Sequence, residues 1–86
     1  MTIKQMAQKA LDVQSAVNLS GVVRSFHEIT EAMRLEHKMD TVTCNQHPVC
    51  RLFAEQIGHL TGTLYDEGRS YSDAYRYCSE MAHSAD

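Results

Sequence analysis

The sequence predicts an all-α protein with a single domain over residues 1–86. Two observations predict this class. Apolar residues recur every three or four positions along four segments, which is the period of an amphipathic helix. Residues that commonly start or stop helices stand between those segments. At 86 residues, the chain has room for one domain at most.

The first segment predicts an amphipathic helix over about residues 2–17. Thr2 is a candidate N-cap because its hydroxyl can accept a hydrogen bond from a free amide of the first turn. Lysine, glutamine and aspartate take the solvent side of this helix. Its apolar side carries Ile3, Met6, Ala7, Ala10, Val13 or Gln14, and Val17.

A break at residues 18–21 precedes the second helix, which we expect over about residues 19–38. Asn18 is a common helix stop and Ser20 a common helix start. Basic residues close to the C-terminus of this helix suit the negative end of its dipole. Its apolar stripe is Leu19, Val22, Val23, Phe26, Ile29 or Thr30, and Met33.

Residues 39–46 are polar or β-branched and predict a loop, after which a third helix covers about residues 46–61. Pro48 fits a first helical turn because the amide that proline lacks would have no partner there. Gly62 is a typical C-terminal stop. The second and third helices are expected to form a central antiparallel hairpin.

A turn at residues 66–70 precedes a short C-terminal helix over about residues 71–83, with Ser72 as its expected cap. Tyr71 and Tyr75 lie on its apolar stripe and are expected in the core. Tyr65 and Tyr77 are expected at the surface, where tyrosine favours protein contacts.

Composition excludes several functional classes. The net charge is −3, and the basic residues do not cluster as they would in a nucleic-acid-binding surface. No run approaches the roughly 20 apolar residues that span a bilayer, and the first residues do not resemble a signal peptide. Three cysteines without an export signal indicate reduced thiols in a cytoplasm. A chain this small, without tryptophan, is expected to gain core by forming a homo-oligomer.

Cysteine and histidine recur every three residues at Cys44, His47 and Cys50. These are zinc-preferring ligand types, although structural zinc sites usually pair two such motifs and this chain has one. The favoured interpretation is therefore buried or surface thiols without metal. A cysteine–histidine nucleophile lacks a third, orienting group and a recognisable oxyanion loop. Glycine motifs that bind phosphate are also absent. We predict no catalytic residue, no metal and no cofactor.

The break before the second helix also resembles a helix-turn-helix DNA reader, which would direct Ser20, Gly21 and Arg24 toward base edges. The spacing differs from that motif by about one residue, and a lone arginine contributes little affinity for DNA. A small helix-turn-helix regulator is therefore the alternative function, and a kinked helix pair is the favoured interpretation.

A polar rim is the best candidate for a ligand site. Arginine together with histidine is a suitable clamp for an anionic ligand such as a nucleotide. In an antiparallel hairpin such groups could line a groove or a subunit interface, while solvated surface remains the simpler interpretation. The predicted ligand-binding residues are Arg24, His27, Asn45, His47 and Arg51.

Residues 12–23 (containing NLSGVV), 45–53 (beginning NQHPV) and 59–61 resemble a group of short, uncharacterised proteins encoded by phages and prophages. The resemblance covers roughly residues 10–62. No activity or ligand is assigned to the group, so it transfers no catalytic residue. It implies an accessory role in a host bacterial cytoplasm.

The sequence therefore predicts a non-enzymatic phage or prophage accessory protein. By analogy with other small phage proteins, we expect it to counteract host defence. It would do so by occluding a host protein or by sequestering an anionic signalling nucleotide. Its expected partners are copies of itself and one of these two targets, without a membrane and without nucleic acid.

Overall fold

The computed structural model describes residues 1–62 and 69–84. Within these residues the chain is helical and contains no strand, so the all-α class is confirmed. The α-helices are α1 (Ile3–Asp12), α2 (Leu19–Leu35), α3 (Thr41–Gln46), α4 (Pro48–Thr61) and α5 (Arg69–Ala82). A 3-10 turn over Val13–Ser15 follows α1.

The predicted N-terminal cap of α1 is confirmed. The Gln5 amide donates to the Thr2 hydroxyl at 3.1 Å, and the Gln5 side chain accepts from the Thr2 amide at 2.9 Å. This reciprocal pair is a capping box, which satisfies two amides that lack partners inside the helix. The helix is shorter than expected, because the 3-10 turn and an extended Ala16 redirect the chain before α2.

Asn18 begins α2, although the sequence favoured it as a stop and Ser20 as the start. The Asn18 side chain accepts a hydrogen bond from the Gly21 amide at 3.3 Å, which is the N-cap geometry. At the other end, Lys38 takes a left-handed backbone (φ 57°), and the Met39 amide donates to the Met33 carbonyl at 3.1 Å.

The loop predicted for residues 39–46 is wrong, since most of it forms the short helix α3. Asp40 caps this helix by accepting from the Thr43 amide at 2.7 Å. That hydrogen bond lowers the pKa of the Asp40 carboxyl. The β-branched residues predicted a loop, but the cap and the burial of Cys44 against the core outweigh their weak helical propensity.

The predicted boundaries of α4 are confirmed. Pro48 occupies its first turn, and Gly62 ends it with φ 77°. The predicted turn at residues 66–70 lies mostly outside the described residues. The cap predicted at Ser72 is wrong because α5 already begins at Arg69, which places Ser72 inside the helix.

Helices α2 and α4 are antiparallel, as predicted. The Cys50 thiol lies 3.6 Å from the Met33 sulfur, and the Phe53 ring stacks on Phe26 with centroids 5.6 Å apart. Residues later in α4 therefore contact residues earlier in α2. Helix α4 also packs against α1, α3 and α5, while α1 packs extensively on α5. The predicted hairpin is thus part of a bundle with α4 at its centre.

The core consists of small and medium side chains from all five helices. Among the described residues, Phe53 is the one aromatic side chain that is fully buried. The buried apolar set is Met6, Ala7, Ala10, Val13, Val22, Ile29, Ala32, Met33, Cys44, Val49, Cys50, Leu52, Phe53, Ala74 and Cys78.

Candidate functional site

The five predicted ligand-binding residues fall into two groups that the structure keeps apart. Arg24 and His27 are exposed on α2. Asn45, His47 and Arg51 lie where α3 meets α4. Because α2 and α4 are antiparallel, this α3–α4 corner lies beside the C-terminal half of α2, away from Arg24. The predicted polar rim is therefore not assembled within one chain.

His47 has a structural task at the start of α4. Its Nδ1 accepts a hydrogen bond from the Val49 amide at 3.2 Å. Its ring meets Tyr77 edge-on, with centroids 5.5 Å apart and planes at 88°. Partial burial, assisted by the positive charge of nearby His37, lowers the pKa of His47. The lowered pKa favours the neutral ring, the form that can accept this hydrogen bond.

Arg51 lies on the same corner. Its Nε donates to the Gln46 carbonyl at 3.2 Å, at the C-terminal end of α3. A guanidinium at this end of a helix satisfies a free carbonyl and suits the helix dipole. The exposed Asn45 is on the adjoining turn. This corner is therefore organised around joining two helices.

The N-terminus contacts the end of α2, which sequence reasoning missed. The Met1 ammonium hydrogen-bonds the Glu36 carboxylate, and this bond lowers the pKa of Glu36. His37 Nε2 lies 2.8 Å from the Met1 carbonyl. No local pattern marks these contacts, because the partners are far apart in the sequence.

All three cysteines are buried and free of disulfides. Burial, together with the Cys44 thiol, raises the pKa of Cys50 to about 12, and burial raises the pKa of Cys78 to about 11. Thiols with such pKa values are poor nucleophiles at neutral pH. Within residues 1–62 and 69–84, no three histidine, cysteine or acidic side chains are arranged to hold a metal ion.

The tyrosine predictions are wrong for two residues, since Tyr75 was expected in the core and Tyr77 at the surface. Tyr75 is 45% exposed, whereas Tyr77 is half-buried against His47, and burial raises the pKa of Tyr77. The side of α5 that packs on the core carries Ala74 and Cys78, and Tyr77 borders it. Tyr71 is half-buried, and Tyr65 lies outside the described residues.

The outer face of α2 is an exposed surface that carries both charged and apolar side chains. Polar residues recur along it at helical spacing, and apolar side chains border it: Leu19 is 37%, Val23 45% and Leu35 63% exposed. Leu19 and Val23 were expected in the core. They are exposed because the neighbouring helices cover only the side of α2 that carries Val22, Ile29 and Met33. The polar residues of this face are Ser20, Arg24, His27, Glu31 and Arg34.

Charge on the α2 outer face is partly unpaired. His27 Nε2 lies 3.7 Å from Glu31 Oε2, one turn away. The guanidinium groups of Arg24 and Arg34 form no hydrogen bond or ion pair with any described residue. A groove of about 370 Å³ runs beside this face, lined by Met1, Glu28, Glu31, Ala32, Leu35 and Glu36.

Comparison with protein-family models, curated proteins and solved structures finds no match to this chain. The resemblance to phage and prophage proteins therefore stays a prediction. In the part of the chain that the structure describes, no helix combines the length and the apolar character needed to cross a bilayer.

Proposed function

We propose that this chain is a non-enzymatic binding protein that acts as a homo-oligomer and occludes the surface of a host protein. The observation that carries the proposal is the placement of exposed apolar side chains. Among the residues that the structure describes, six large apolar side chains are exposed, and three of them lie on α2. Such grouping on a rigid helix is typical of a protein-binding surface. The six are Val17, Leu19, Val23, Leu35, Val42 and Tyr75.

The reactive side chains support a role without catalysis. The thiols of Cys50 and Cys78 are buried with raised pKa values, and His47 is engaged in capping α4. A catalytic cysteine or histidine needs access to substrate and a pKa matched to its task. These groups instead stabilise the fold.

Occlusion of a protein is favoured over sequestration of an anionic nucleotide. A nucleotide clamp needs several cationic groups converging on one phosphate. Here Arg24 and Arg51 lie in different parts of the surface, and Arg51 donates to the end of α3. Glu28, Glu31 and Glu36 line the groove beside α2, which makes that groove unfavourable for anions.

The setting of this function follows from the resemblance to phage and prophage proteins. We propose that the protein acts in the cytoplasm of a bacterial host, where it counteracts a defence component. A surface blocker of this kind needs only rigidity, solubility and complementarity, all within reach of a small helical bundle.

A plaque assay tests the proposal. The protein is expressed in bacterial strains that each carry one defence system, and phage plating is compared with empty vector. We expect plating to recover on at least one strain. The defence component that is blocked in that strain should co-purify with this protein in a fixed ratio. The intact masses of both proteins should be unchanged.

Three results would contradict the proposal. Recovery of plating without a stable complex would indicate depletion of a signalling molecule, which native mass spectrometry would detect as a nucleotide adduct. Covalent alteration of the defence component would indicate an enzyme. No recovery on any strain of a broad panel would remove the counter-defence role.

The alternative as a DNA-binding regulator has a separate test. Ser20, Arg24 and His27 are exposed along one side of α2, but Glu31 shares that side and would repel phosphate. We expect no mobility shift of a duplex carrying the gene's own promoter at low salt. A shift that is lost in Arg24→Ala would favour the regulator.

A further inference from the structure

Along the outer face of α2, the order of the charged side chains is complementary to that of a second, antiparallel copy of the same helix. At 100° per residue, Arg24 and Glu31 project toward the border of the face that also carries Glu28 and Leu35. Leu19, Val23 and Thr30 lie on the opposite border. His27 stands midway along the face and near its centre line. Cation and carboxylate therefore lie about equally far from His27, in opposite directions along the helix.

We propose that a second copy of this chain docks on α2 in antiparallel orientation, with the two-fold axis beside His27 and Arg24 of each copy inserted at Glu31 of the other. The proposal deepens the homo-oligomer of the proposed function and rests on it. It identifies the interface helix, the register and the specificity-determining pair.

The two-fold axis dictates which residues meet. In a pair of antiparallel helices related by such an axis, each residue faces the one equally far on the other side of the axis. Arg24, three residues before His27, then faces Thr30 and Glu31 of the partner subunit. Residues on the same border of the face meet each other, so Arg24 and Glu31 are on the correct side for contact.

The groove beside Glu31 provides the space for the incoming arginine. It encloses about 370 Å³, and Glu28 and Glu31 contribute two of its three carboxylates. Their present contacts are long: Glu31 to His27 at 3.7 Å and Glu28 to Lys9 at 3.8 Å. Arg24 has no ion-pair partner among the described residues of its own chain. A guanidinium can bind a carboxylate through two parallel hydrogen bonds.

On the border of the face that carries Leu19, Val23 and Thr30, apolar side chains complete the contact with the second copy. Val23, 45% exposed, would face the methyl group of Thr30 in the second copy. Leu19, 37% exposed, would cover the aliphatic part of Arg34. Together with the ion pairs, this contact buries apolar groups that the monomer leaves in water.

A second copy fits this face because the same helix supplies both halves of each ion pair, and Val17, Val42 and Tyr75 stay exposed outside it for contact with a host protein. A partner with a uniform charge would match one end of the face and oppose the other. Self-complementarity of this kind is the signature of a two-fold interface.

Charge reversal tests the register directly. Sedimentation velocity of the full chain is compared for wild type, Arg24→Glu, Glu31→Arg and the double variant. Each single reversal places like charges together on both sides of the two-fold axis, so we expect the dimer Kd to rise by at least about tenfold. The double variant restores both pairs in swapped order and should return to within about threefold of wild type.

Matched controls come from α5. Arg76→Glu and Glu80→Arg make the same charge reversals at exposed positions of a helix outside the proposed interface. Both should leave the Kd unchanged. Circular dichroism melts of every variant separate a lost interface from a lost fold.

A second measurement does not depend on affinity. His27→Cys places a thiol beside the two-fold axis, so mild oxidation should yield a covalent dimer through a single disulfide. Tyr75→Cys, also exposed, should not do so at the same protein concentration.

The outcomes separate this inference from the proposed function. An oligomer that persists in both single reversals, or a double variant that stays dissociated, overturns the α2 interface and leaves another oligomer standing. A wild-type monomer at all concentrations overturns the interface and the homo-oligomer, while plating recovery would still support host-protein occlusion. Rescue in the double variant supports the proposed register.

Discussion

At the scale of single residues, two left-handed positions end helices in different ways. Gly62 adopts φ 77° after α4, and Lys38 adopts φ 57° after α2. Glycine occupies this region without steric cost, whereas a residue with a Cβ is disfavoured there by roughly 1 kcal/mol. Open space surrounds the position of a Cβ at Gly62, so its requirement for glycine is conformational.

Substitutions at these two left-handed positions should change the free energy of unfolding in opposite directions. We expect Lys38→Gly to raise the free energy of unfolding by about 0.5–1 kcal/mol, since it relieves the left-handed lysine. Gly62→Ala should lower it by about 1 kcal/mol. Urea denaturation at constant m value measures both. A destabilised Lys38→Gly would show that the lysine side chain contributes more than its backbone strain removes.

His47 makes stability depend on pH. Burial lowers its pKa in the folded state, so between that pKa and the unfolded value of about 6.5 the unfolded chain binds more protons. Its contribution is therefore complete above about pH 6.5 and is lost as the pH falls through the folded-state pKa. A protonated Nδ1 also cannot accept from the Val49 amide.

His47→Asn should keep the cap and remove this titration. Asparagine is a favoured N-cap, so we expect little change at pH 7.5 and a shallower loss of stability between pH 7 and 5 than in wild type. Thermal melts across this range test it. His59→Asn, an exposed position on the same helix, is the control and should retain the wild-type slope. His47→Ala should cost about 1 kcal/mol at pH 7.5 because it removes the cap.

At the scale of elements, α4 holds the rest of the bundle in register through polar contacts as well as apolar ones. Gln56 on α4 is 6% exposed, and its amide donates to the Ala16 carbonyl at 2.8 Å. Gln14 in the 3-10 turn donates to the Leu52 carbonyl at 3.2 Å. These two bonds attach the α1–α2 connection to α4. They explain why that connection can be short and still contain an extended residue.

Gln56→Met tests this attachment. The substitution keeps side-chain volume but leaves the Ala16 carbonyl without its donor, so we expect a loss of about 1–3 kcal/mol. Gln46→Met, at an exposed position of α3, is the matched control and should change stability by less than about 0.5 kcal/mol. Equal urea midpoints for the two variants would contradict a structural role for Gln56.

Helix limits were predictable where a local signal acts within one turn. Thr2 accepts a hydrogen bond from an amide of the first turn, Pro48 lacks an amide hydrogen, and Gly62 adopts a left-handed backbone. Each effect acts within one turn, so sequence reasoning placed the start of α1 and both ends of α4 correctly. Ser20 and Ser72 carry the same type of signal and yet do not begin helices. Asn18 precedes Ser20 as the cap of α2, and α5 has already started before Ser72. Local signals name candidates, and competition between neighbours selects among them.

At the scale of the whole molecule, the three cysteines report on the integrity of the core. They lie on α3, α4 and α5, and each is at most 2% exposed. A reagent can reach them only when the packing between these helices opens.

We therefore expect the three thiols to react with a disulfide reagent at one common rate at pH 8. Raised pKa values of Cys50 and Cys78, about 12 and about 11, further slow their reaction in the folded state. Mass spectrometry of quenched samples would show zero or three labels, with few intermediates. Early single labelling of Cys44 would instead show that α3 opens separately from the bundle.

The candidate site was predictable as a set of residue types, but its arrangement was not. Arg24 and His27 lie on one face, as their spacing in a helix requires. Whether Arg51 joins them depends on how α2 and α4 are rotated and offset, and neither quantity is encoded in one helix. The same limit explains why Leu19 and Val23 were assigned to the core, since the width of an apolar stripe does not reveal how much of it neighbours cover.

The sequence by itself determined that the chain folds as helices, and where α4 begins and ends. These features depend on hydrophobic period and on hydrogen bonds within one turn, which are local. Tertiary structure alone decided that α4 is central, that the N-terminus reaches Glu36, and that α2 has an exposed outer face with apolar side chains. Those features depend on contacts between segments distant in the chain, where packing of the whole core selects one arrangement.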